Sequence, residues 1–389
     1  MENISNLDLI IHDINLKYKE QIVVKGTSRL KNEKIPFTSL RADYLCYGGV
    51  PRGKATEFFG TEGSGKTTSA LDIVKNAQIL AIKEYEDKLK ELKERILKLG
   101  DVKSYKKEVE KLKAEIEELT NQGIKKVVYV DSENTLDEEW ARSLGVNTDE
   151  LELMRPLNQT AEQVLQMMLD MLNSGGVILM VLDSIPMLIP QQLYEESMEK
   201  KSYCGVAGPM AIFSAKVSPI ISKTNTALIM INQVREDINN PYNMYNTPGG
   251  KALKHLYALR ILFNKGAPID EENVEQKCNF EFPVGHLVQM QIAKTKVSKP
   301  DRKLGFYTLK YDAGIDYISD MVSMAILYNY IIRASAWFSL MEDDGETIIT
   351  DEKDNPLKFQ GRVKLLDYIR NHKVILDELN EKVMSKLKD

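Results

Sequence analysis

The stretch GTEGSGKTT, residues 60–68, decides the fold, because it matches the phosphate-binding pattern G-x-x-x-x-G-K-[ST] in full. Its glycines let backbone N–H groups curl around phosphates, and the start of the following helix adds positive potential. We expect Lys66 to reach the β- and γ-phosphates of a nucleotide and Thr67 to hold Mg²⁺. The residues expected to contact the nucleotide are Gly60, Thr61, Glu62, Gly63, Ser64, Gly65, Lys66, Thr67 and Thr68. Strand residues precede the motif and helical ones follow it, which favours a phosphate loop over a chance match in a glycine-rich turn.

Apolar runs alternate with helical stretches on both sides of this motif, from about residue 55 to 265. The runs are short and rich in β-branched residues, as in strands buried on both faces. This alternation predicts an α/β fold with a mostly parallel twisted sheet covered by helices. Residues 286–311 are expected to add antiparallel strands, and the chain becomes mostly helical from about residue 317.

Composition limits the possible classes of protein. The 389 residues are 43% hydrophobic and carry a net charge of −5, so a large core is possible and nucleic-acid binding requires local basic surface. Three scattered cysteines form neither a metal-binding spacing nor a disulfide framework. We see no secretory signal and no apolar run of membrane-spanning length, so a cytoplasmic location without membrane contact is expected.

Residues 83–119 break the alternation, because they are dense in Lys and Glu. Leucines and isoleucines recur at helical spacing on both sides of a GDVKS break at 100–104. This pattern predicts an antiparallel helical hairpin with a coiled-coil seam. The hairpin is either a solvated decoration or an arm for a partner protein or DNA. Its nearly balanced charges make general DNA binding the weaker interpretation.

Polar side chains follow the predicted strands where the phosphate loop would lie. Asp183 ends the run GVILMVLDS and is suited to ordering the Mg²⁺ shell, although it can instead cap the next helix. Glu133 is able to polarise the water that attacks a γ-phosphate, and Trp140 to stack on a purine. Helix capping by residues 131–132 and a core position for Trp140 are the structural alternatives. Gln233 ends TALIMINQ, where it is placed to sense a phosphate.

A long polar loop follows Gln233 and ends in Pro-Gly-Gly. The N–H groups of Gly249 and Gly250 can grip nucleic-acid phosphates, with Arg235 and Lys251 as basic neighbours. The alternative is a mobile surface loop.

Lys294 and Lys296 pose a different question. They continue the apolar face of the strand VQMQIAKTKVSKP, residues 288–300, and so need an anion or open water. The strand pattern alone leaves both answers open.

The order of these motifs resembles that of the RecA recombinase family, including its phage-encoded members. The resemblance covers about residues 45–80 and 124–338 and is carried by GTEGSGKTT, VDSENTLDEEWARSLGV, VLDS, TALIMINQVR, PGGKALK and IAKTK. It implies an ATP- and Mg²⁺-dependent, DNA-stimulated ATPase that forms a helical filament on single-stranded DNA and pairs it with homologous duplex DNA. A ring helicase on the same core and a mediator that uses ATP only as a switch are the alternatives.

The resemblance also implies roles for individual residues. Glu133 would be the catalytic carboxylate, and Asp137 and Trp140 would contact the adenine. Gln233 would couple the γ-phosphate to a DNA loop at 234–250.

By the same resemblance, Lys294 and Lys296 would reach the ATP bound to a neighbouring subunit. The active site would then be complete only between two subunits.

Other DNA contacts are less closely matched to the family pattern. A first DNA loop would span residues 190–206, where no methionine stands at the expected wedge position and Tyr203, nearby, would intercalate or stack instead. Lys216 is the expected basic contact in the following helix. His255 replaces an interface aromatic residue.

The resemblance further divides the chain into an oligomerisation arm, a core and a C-terminal domain. The arm would span residues 1–35, with a helix at 6–19 and a strand at QIVV. The RecA-type core would span 36–316 and contain the hairpin, and a small α+β domain would follow at 317–389.

Overall fold

The computed structural model describes residues 6–18, 33–99, 105–195, 205–236, 245–272, 274–351 and 353–388. The chain forms two compact units, residues 1–33 and 34–389. Within the first unit the structure contains helix α1 (Asn6–Tyr18), as predicted. The strand predicted at QIVV lies outside the described residues.

The second unit contains most of the secondary structure. Its first strands are β1 (Lys34–Ile35), β2 (Val50–Pro51), β3 (Ala55–Gly60), β4 (Lys126–Asp131), β5 (Leu151–Met154), β6 (Val177–Asp183), β7 (Ala227–Gln233), β8 (Arg235–Glu236) and β9 (Tyr245–Asn246). The strands that follow are β10 (Leu259–Ile269), β11 (Gly285–Thr295), β12 (Leu304–Lys310), β13 (Gly314–Ile315), β14 (Ile331–Ala334), β15 (Trp337–Leu340) and β16 (Lys358–Gln360). Its helices are α2 (Leu40–Cys46), α3 (Lys66–Leu99), α4 (Lys106–Gln122), α5 (Glu138–Ser143), α6 (Ala161–Asn173), α7 (Gln191–Glu195), α8 (Ala207–Thr224), α9 (Gly250–Leu256), α10 (Tyr317–Leu327), α11 (Arg362–Asn371) and α12 (Lys373–Lys388).

A nine-stranded sheet forms the centre of this unit, in the order β13-β12-β11-β10-β3-β7-β6-β4-β5. The six strands from β10 to β5 in this order run parallel to one another. Strands β11, β12 and β13 add antiparallel to the β10 edge. The structure therefore confirms the predicted fold class, including the antiparallel extension.

Both faces of the sheet are covered, which explains the continuous apolar runs. Val127 and Tyr129 of β4 point into a core shared with α3, whereas Val128 and Val130 point into a core shared with α6 and α8. Because side chains alternate across a strand, a strand between two cores must be apolar at every position. All seven residues of β6 are accordingly buried.

The predicted hairpin is formed by the far half of α3 and by α4. Helix α3 has 34 residues, so it is about 51 Å long at 1.5 Å per residue. Leu92 of α3 and Leu112 of α4 are almost fully buried in the seam, at 1% and 2% exposure. Leu97, outside the seam, is 79% exposed. The seam follows from the 3-4-3 spacing of the apolar residues.

A third core lies in the C-terminal part of the chain, where α10, α11 and α12 pack with the small sheet β14-β15-β16. This part is α+β, as predicted, and the domain limits at residues 35 and 316 stay predictions. Within the described ranges, every helix is too short or too polar to span a bilayer.

Candidate active site

The phosphate loop joins the end of β3 to the start of α3, as the motif predicts. Gly60 is required by a close approach, since a Cβ there would lie 2.1 Å from the carbonyl oxygen of Phe263 on β10. Gly65 has a φ of +90°, which a residue with a side chain rarely adopts. The loop backbone is therefore free to turn its N–H groups toward a phosphate.

Lys66 lies at the first position of α3 and is 8% exposed. Its Nζ donates a hydrogen bond to the carbonyl oxygen of Thr61, at 2.6 Å. Burial lowers the pKa of Lys66, while the charges of Asp183, Glu133 and Glu62 oppose that shift. The ammonium group thus lies within the loop itself, where the charges of these three carboxylates act on it.

Thr67 and Asp183 form the candidate Mg²⁺ site. Thr67 Oγ1 donates to Asp183 Oδ2 at 2.9 Å, and the Tyr129 hydroxyl donates to the same oxygen at 2.7 Å. Burial raises the pKa of Asp183 to about 6, against the effect of these two hydrogen bonds. Asp183 therefore accepts hydrogen bonds from Thr67 of the phosphate-loop motif and from Tyr129 of β4. The described residues contain no cluster of three metal-ligating side chains, so a cation here would take its other ligands from phosphate and water.

Glu133 lies beside this pair, because β4 and β6 are neighbours with Asp131 opposite Asp183. The Ser184 hydroxyl donates to Glu133 Oε1. The alternative of helix capping by residues 131–132 is wrong, because Asp137 caps α5, and Asp131 instead accepts hydrogen bonds from the loop N–H groups of Thr135 and Leu136 at 3.2 and 3.1 Å. The charge of Glu133 also acts on Lys66, so this carboxylate lies near the phosphate loop.

Asp137 and Trp140 lie at the start of α5. Asp137 caps this helix, accepting from the N–H groups of Glu139 and Trp140 at 2.9 and 3.0 Å. Trp140 packs partly against the core and also lines the cleft of the phosphate loop. The core and ligand-binding interpretations of Trp140 are thus compatible, because its two sides face different surroundings.

The cleft has a volume of about 230 Å³. Its lining comprises residues 63–68, Trp140, His286, Leu309 and Tyr311. The sequence pattern did not single out the last three. They lie on or just beyond β11 and β12, and strand alternation indicates only which residues share a face, without showing which face meets a cleft.

Gln233 ends β7 directly opposite Gly60, and it is exposed. The preceding Asn232 is buried, and its Nδ2 donates to Glu57 Oε1 at 2.9 Å and to the carbonyl oxygen of Pro248 at 3.0 Å. Arg260 pairs with the same Glu57. Hydrogen bonds therefore connect Glu57 of β3, three residues before the phosphate loop, to the far end of the polar loop.

Lys294 and Lys296 lie outside the cleft of their own chain. Lys294 Nζ donates to the carbonyl oxygen of Lys254, and Lys296 Nζ donates to that of His255 at 3.0 Å. Both acceptors belong to the last turn of α9, where helix carbonyls lack helical partners. Burial, and next the charge of Lys296, lower the pKa of Lys294.

Sheet register gives the position of these lysines relative to the phosphate loop. Lys294 pairs with Arg260, and Arg260 pairs with Glu57, three residues before Gly60. Lys294 thus lies two strands away from β3 and beside the start of β10, at least about 10 Å from the loop at strand spacing.

Some of the candidate DNA-binding residues lie close together in the structure. Gly250 begins α9 and Gly249 precedes it, and a Cβ on Gly250 would lie 3.2 Å from Cβ of Ala207 at the start of α8. The ends of the two proposed DNA loops therefore meet. Lys251 and Lys216 are exposed on α9 and α8. Tyr203 and the side chain of Arg235 lie outside the described residues.

The phosphate loop, the Thr67–Asp183 pair and the sheet order together define the class, a P-loop ATPase with a RecA-type core. The model of the RecA N-terminal domain matches residues 5–85 and 91–316. The chain belongs to the RecA family, as its motifs suggested, and is a RecA-type recombinase and DNA-dependent ATPase.

Three relatives illustrate how far the similarity extends. Protein RecA of Thermus aquaticus is 31% identical over 361 residues, which are 92% of this chain and 86% of the relative. Protein RecA of Aquifex aeolicus is 28% identical over 98% of this chain and 94% of its own length. Protein RecA of Citrifermentans bemidjiense is 30% identical, with 98% and 95% covered. The similarity therefore spans nearly the whole chain.

Proposed function

We propose that this recombinase assembles on single-stranded DNA as a helical filament whose ATP sites lie between subunits, and that it pairs the strand with homologous duplex DNA. The observation that carries the proposal is the position of Lys294 and Lys296. Both ammonium groups lie against the end of α9, away from the cleft of their own chain. Two cations placed there are available to a neighbouring subunit. We further propose that the protein acts in the cytoplasm.

The residues of the cleft then have distinct roles in hydrolysis. Lys66 exchanges the Thr61 carbonyl for the β- and γ-phosphates, and Glu133 orients and deprotonates the attacking water. Thr67 and Asp183 would hold Mg²⁺, which when bound neutralises charge on the phosphates. Trp140 stacks on the base, and Asp137 fixes the turn that presents it.

Lys294 and Lys296 of the next subunit stabilise the charge that develops on the transferred phosphoryl group. Comparable cations supplied in trans accelerate phosphoryl transfer by roughly 10³–10⁵. Without a neighbour, hydrolysis lacks this contribution.

Nucleotide and DNA are coupled through β7 and α9. Gln233 stands beside Gly60, and Asn232 bonds to Pro248 at the end of the DNA loop. The same loop runs into α9, whose last turn holds the two lysines. A shift of the loop on DNA therefore moves the groups that bind the lysines, and a γ-phosphate at Gln233 biases the loop in return.

DNA binding would be mainly through the phosphate backbone. Gly249 and Gly250 offer N–H groups, and Lys251 and Lys216 offer charge on adjacent helices. Such contacts do not depend on base sequence, and they weaken as salt rises.

The first test measures ATP turnover with and without single-stranded DNA. DNA should stimulate turnover, and equal rates would contradict the coupling. Electron microscopy of the same sample should show helical filaments. Closed rings would favour a helicase, and free monomers would favour a mediator that uses ATP as a switch.

A mixing experiment tests the contribution in trans. Lys294→Ala and Lys66→Ala should each lose DNA-stimulated turnover, because the first lacks the donated cation and the second lacks phosphate binding. Mixed filaments should regain part of the activity, since some interfaces combine an intact loop with an intact lysine pair. If mixed filaments form and remain inactive, the assignment in trans is wrong.

A further inference from the structure

The imidazole of His286 lines the nucleotide cleft without having been assigned a role. His286 is the second residue of β11, where it pairs with Leu309 of β12 and with Pro268 of β10. It is 4% exposed and lines the cleft together with Trp140 and Tyr311.

The two ring nitrogens of His286 have different surroundings. Nδ1 lies 3.3 Å from the Tyr311 hydroxyl, and the two rings are 5.6 Å apart between centroids. Nε2 is buried and has no hydrogen-bond partner among the described residues. A buried polar atom left unpaired is costly, so such an atom beside a ligand cleft indicates a contact completed by the ligand.

The charge state of His286 favours a neutral ligand group. Burial, and next the charge of Lys265, lower the pKa of His286 to about 4, so the ring is neutral at pH 7. A neutral imidazole gives a phosphate no charge compensation, but it can bond to a ring nitrogen or an exocyclic group of a base.

The position of His286 in the cleft agrees with this choice. Phosphates are held at the loop end by Lys66 and the start of α3. The remaining wall is formed by Trp140, Leu309 and Tyr311, whose apolar and aromatic surfaces suit the flat face of a base.

We infer that Nε2 of His286 forms a hydrogen bond with the purine base of the bound nucleotide. His286 would thus recognise the base, an inference that rests on ATP binding in this cleft. Nε2 is shielded from solvent here, so contact requires a rotation of the imidazole or of Tyr311, which is 43% exposed. Binding would close the base end of the cleft.

A matched pair of variants tests the inference by calorimetry with ADP and with inorganic pyrophosphate. His286→Gln can place an amide nitrogen near the position of Nε2, whereas His286→Asn reaches only the position of Nδ1. His286→Asn should bind ADP roughly 5- to 30-fold more weakly than wild type, the effect of an unpaired polar group on the base. His286→Gln should stay within about threefold of wild type. Both variants should bind pyrophosphate like wild type, because it has no base.

The outcomes separate this inference from the proposed function. If wild type binds neither ligand, ATP binding in the cleft is wrong. Only the role of His286 is wrong if wild type binds ADP and both variants bind it as tightly as wild type does. The same conclusion follows if the variants lose affinity for ADP and for pyrophosphate by the same factor. If 2′-deoxy-ADP binds wild type as weakly as ADP binds His286→Asn, the partner is the ribose and the assignment to the base fails.

Wild-type protein offers a test that needs no variant. The chain has four histidines, so a ¹⁵N-histidine spectrum is simple to assign. The Nε2 resonance of His286 should shift with ADP and stay in place with pyrophosphate. The absence of a shift with ADP would contradict the inference.

Discussion

At the scale of the residue, Asp183 shows how a site for a charged ligand affects stability. The carboxylate is 7% exposed and accepts hydrogen bonds from Thr67 and Tyr129. Burial nevertheless dominates, and Glu133 and Asp131 add repulsion, so the pKa of Asp183 is raised. A buried carboxylate next to a phosphate loop is unfavourable until a cation compensates it. The chain therefore keeps a carboxylate that is suited to binding a cation, although this carboxylate lowers the stability of the protein without the cation.

Asp183→Asn makes this cost measurable. The pKa of Asp183 rises from 3.8 to about 6 on folding, so the folded chain holds a proton between about pH 4 and 6 that the unfolded chain has lost. Wild-type stability should therefore fall as the pH rises through this window and stay lower above it. The variant cannot ionise, and at pH 7 it should be more stable by on the order of 2–3 kcal/mol.

Thermal unfolding of both proteins from pH 3 to pH 8, without nucleotide or metal, measures the difference. Only the difference curve is informative, because other buried carboxyl groups such as Asp43 and Asp320 titrate in both proteins. Parallel curves would contradict the role given to Asp183. The variant should also lose ATP turnover.

At the scale of the element, α9 joins two parts of the mechanism within seven residues. Its first residues end the proposed DNA loop, and its last turn accepts hydrogen bonds from Lys294 and Lys296. Gly249 precedes it with a φ of +100°, and a Cβ there would lie 2.2 Å from Leu253 Cδ1. A side chain at this junction would strain the backbone and force the side chain of Leu253 to move.

Gly249→Ala should therefore uncouple DNA from hydrolysis. The substitution combines an unfavourable φ with a contact that the side chain of Leu253 must relieve, at about 1–3 kcal/mol, and so strains the start of α9. We expect DNA stimulation of turnover to be lost while ADP affinity is kept. Gly345→Ala is the control, because Gly345 has a φ of +69° and no atom within 4 Å of a built Cβ. Equal turnover in the two variants would show that the junction has no special role.

The hairpin of α3 and α4 is a second element, and the contribution of its leucine seam to stability can be tested. Leu112→Ala should leave a cavity in the seam and destabilise the hairpin by about 2–5 kcal/mol. Leu97→Ala, at a largely exposed position, should change little. Hydrogen exchange should show faster exchange in α4 for the first variant and unchanged protection in β6 for both. Loss of protection in β6 would mean that the hairpin contributes to the stability of the core.

Elements were easier to predict from the sequence than contacts between them. The phosphate loop, the sheet and the hairpin depend on spacing within a short stretch, so GTEGSGKTT and the leucine repeats were enough. The contacts of Lys294 and Lys296 with α9, and the position of His286 in the cleft, depend on which strands become neighbours. Local periodicity contains no information on that choice, so these features required the structure.

At the scale of the whole molecule, activity should depend on assembly. The first compact unit ends at Glu33, and we propose that it acts in oligomerisation. A chain of residues 34–389 should bind ADP with unchanged affinity, because every residue of the cleft remains. Its DNA-stimulated turnover should fall by roughly tenfold or more, since the lysines of a neighbour are no longer delivered.

Sedimentation and turnover over a range of protein concentrations check this prediction. Full-length protein should gain turnover per subunit as filaments form, and the shortened chain should need higher concentrations. Lys17→Ala, a single change in the last turn of α1, is a milder comparison that keeps the helix. If the shortened chain retains full stimulation at the same concentration, assembly does not depend on this unit.

The length of α3 has a mechanical consequence. One uninterrupted helix begins at the phosphate-binding Lys66 and ends at Leu99, at the tip of the hairpin. Residues 70–81 of this helix pack in the core and residues 82–99 extend beyond it for about 27 Å, so a tilt of about 5° would move the tip by about 2 Å. Each turnover of ATP would then move the tip of the hairpin. Another molecule bound at the tip could respond to that movement without contacting the nucleotide.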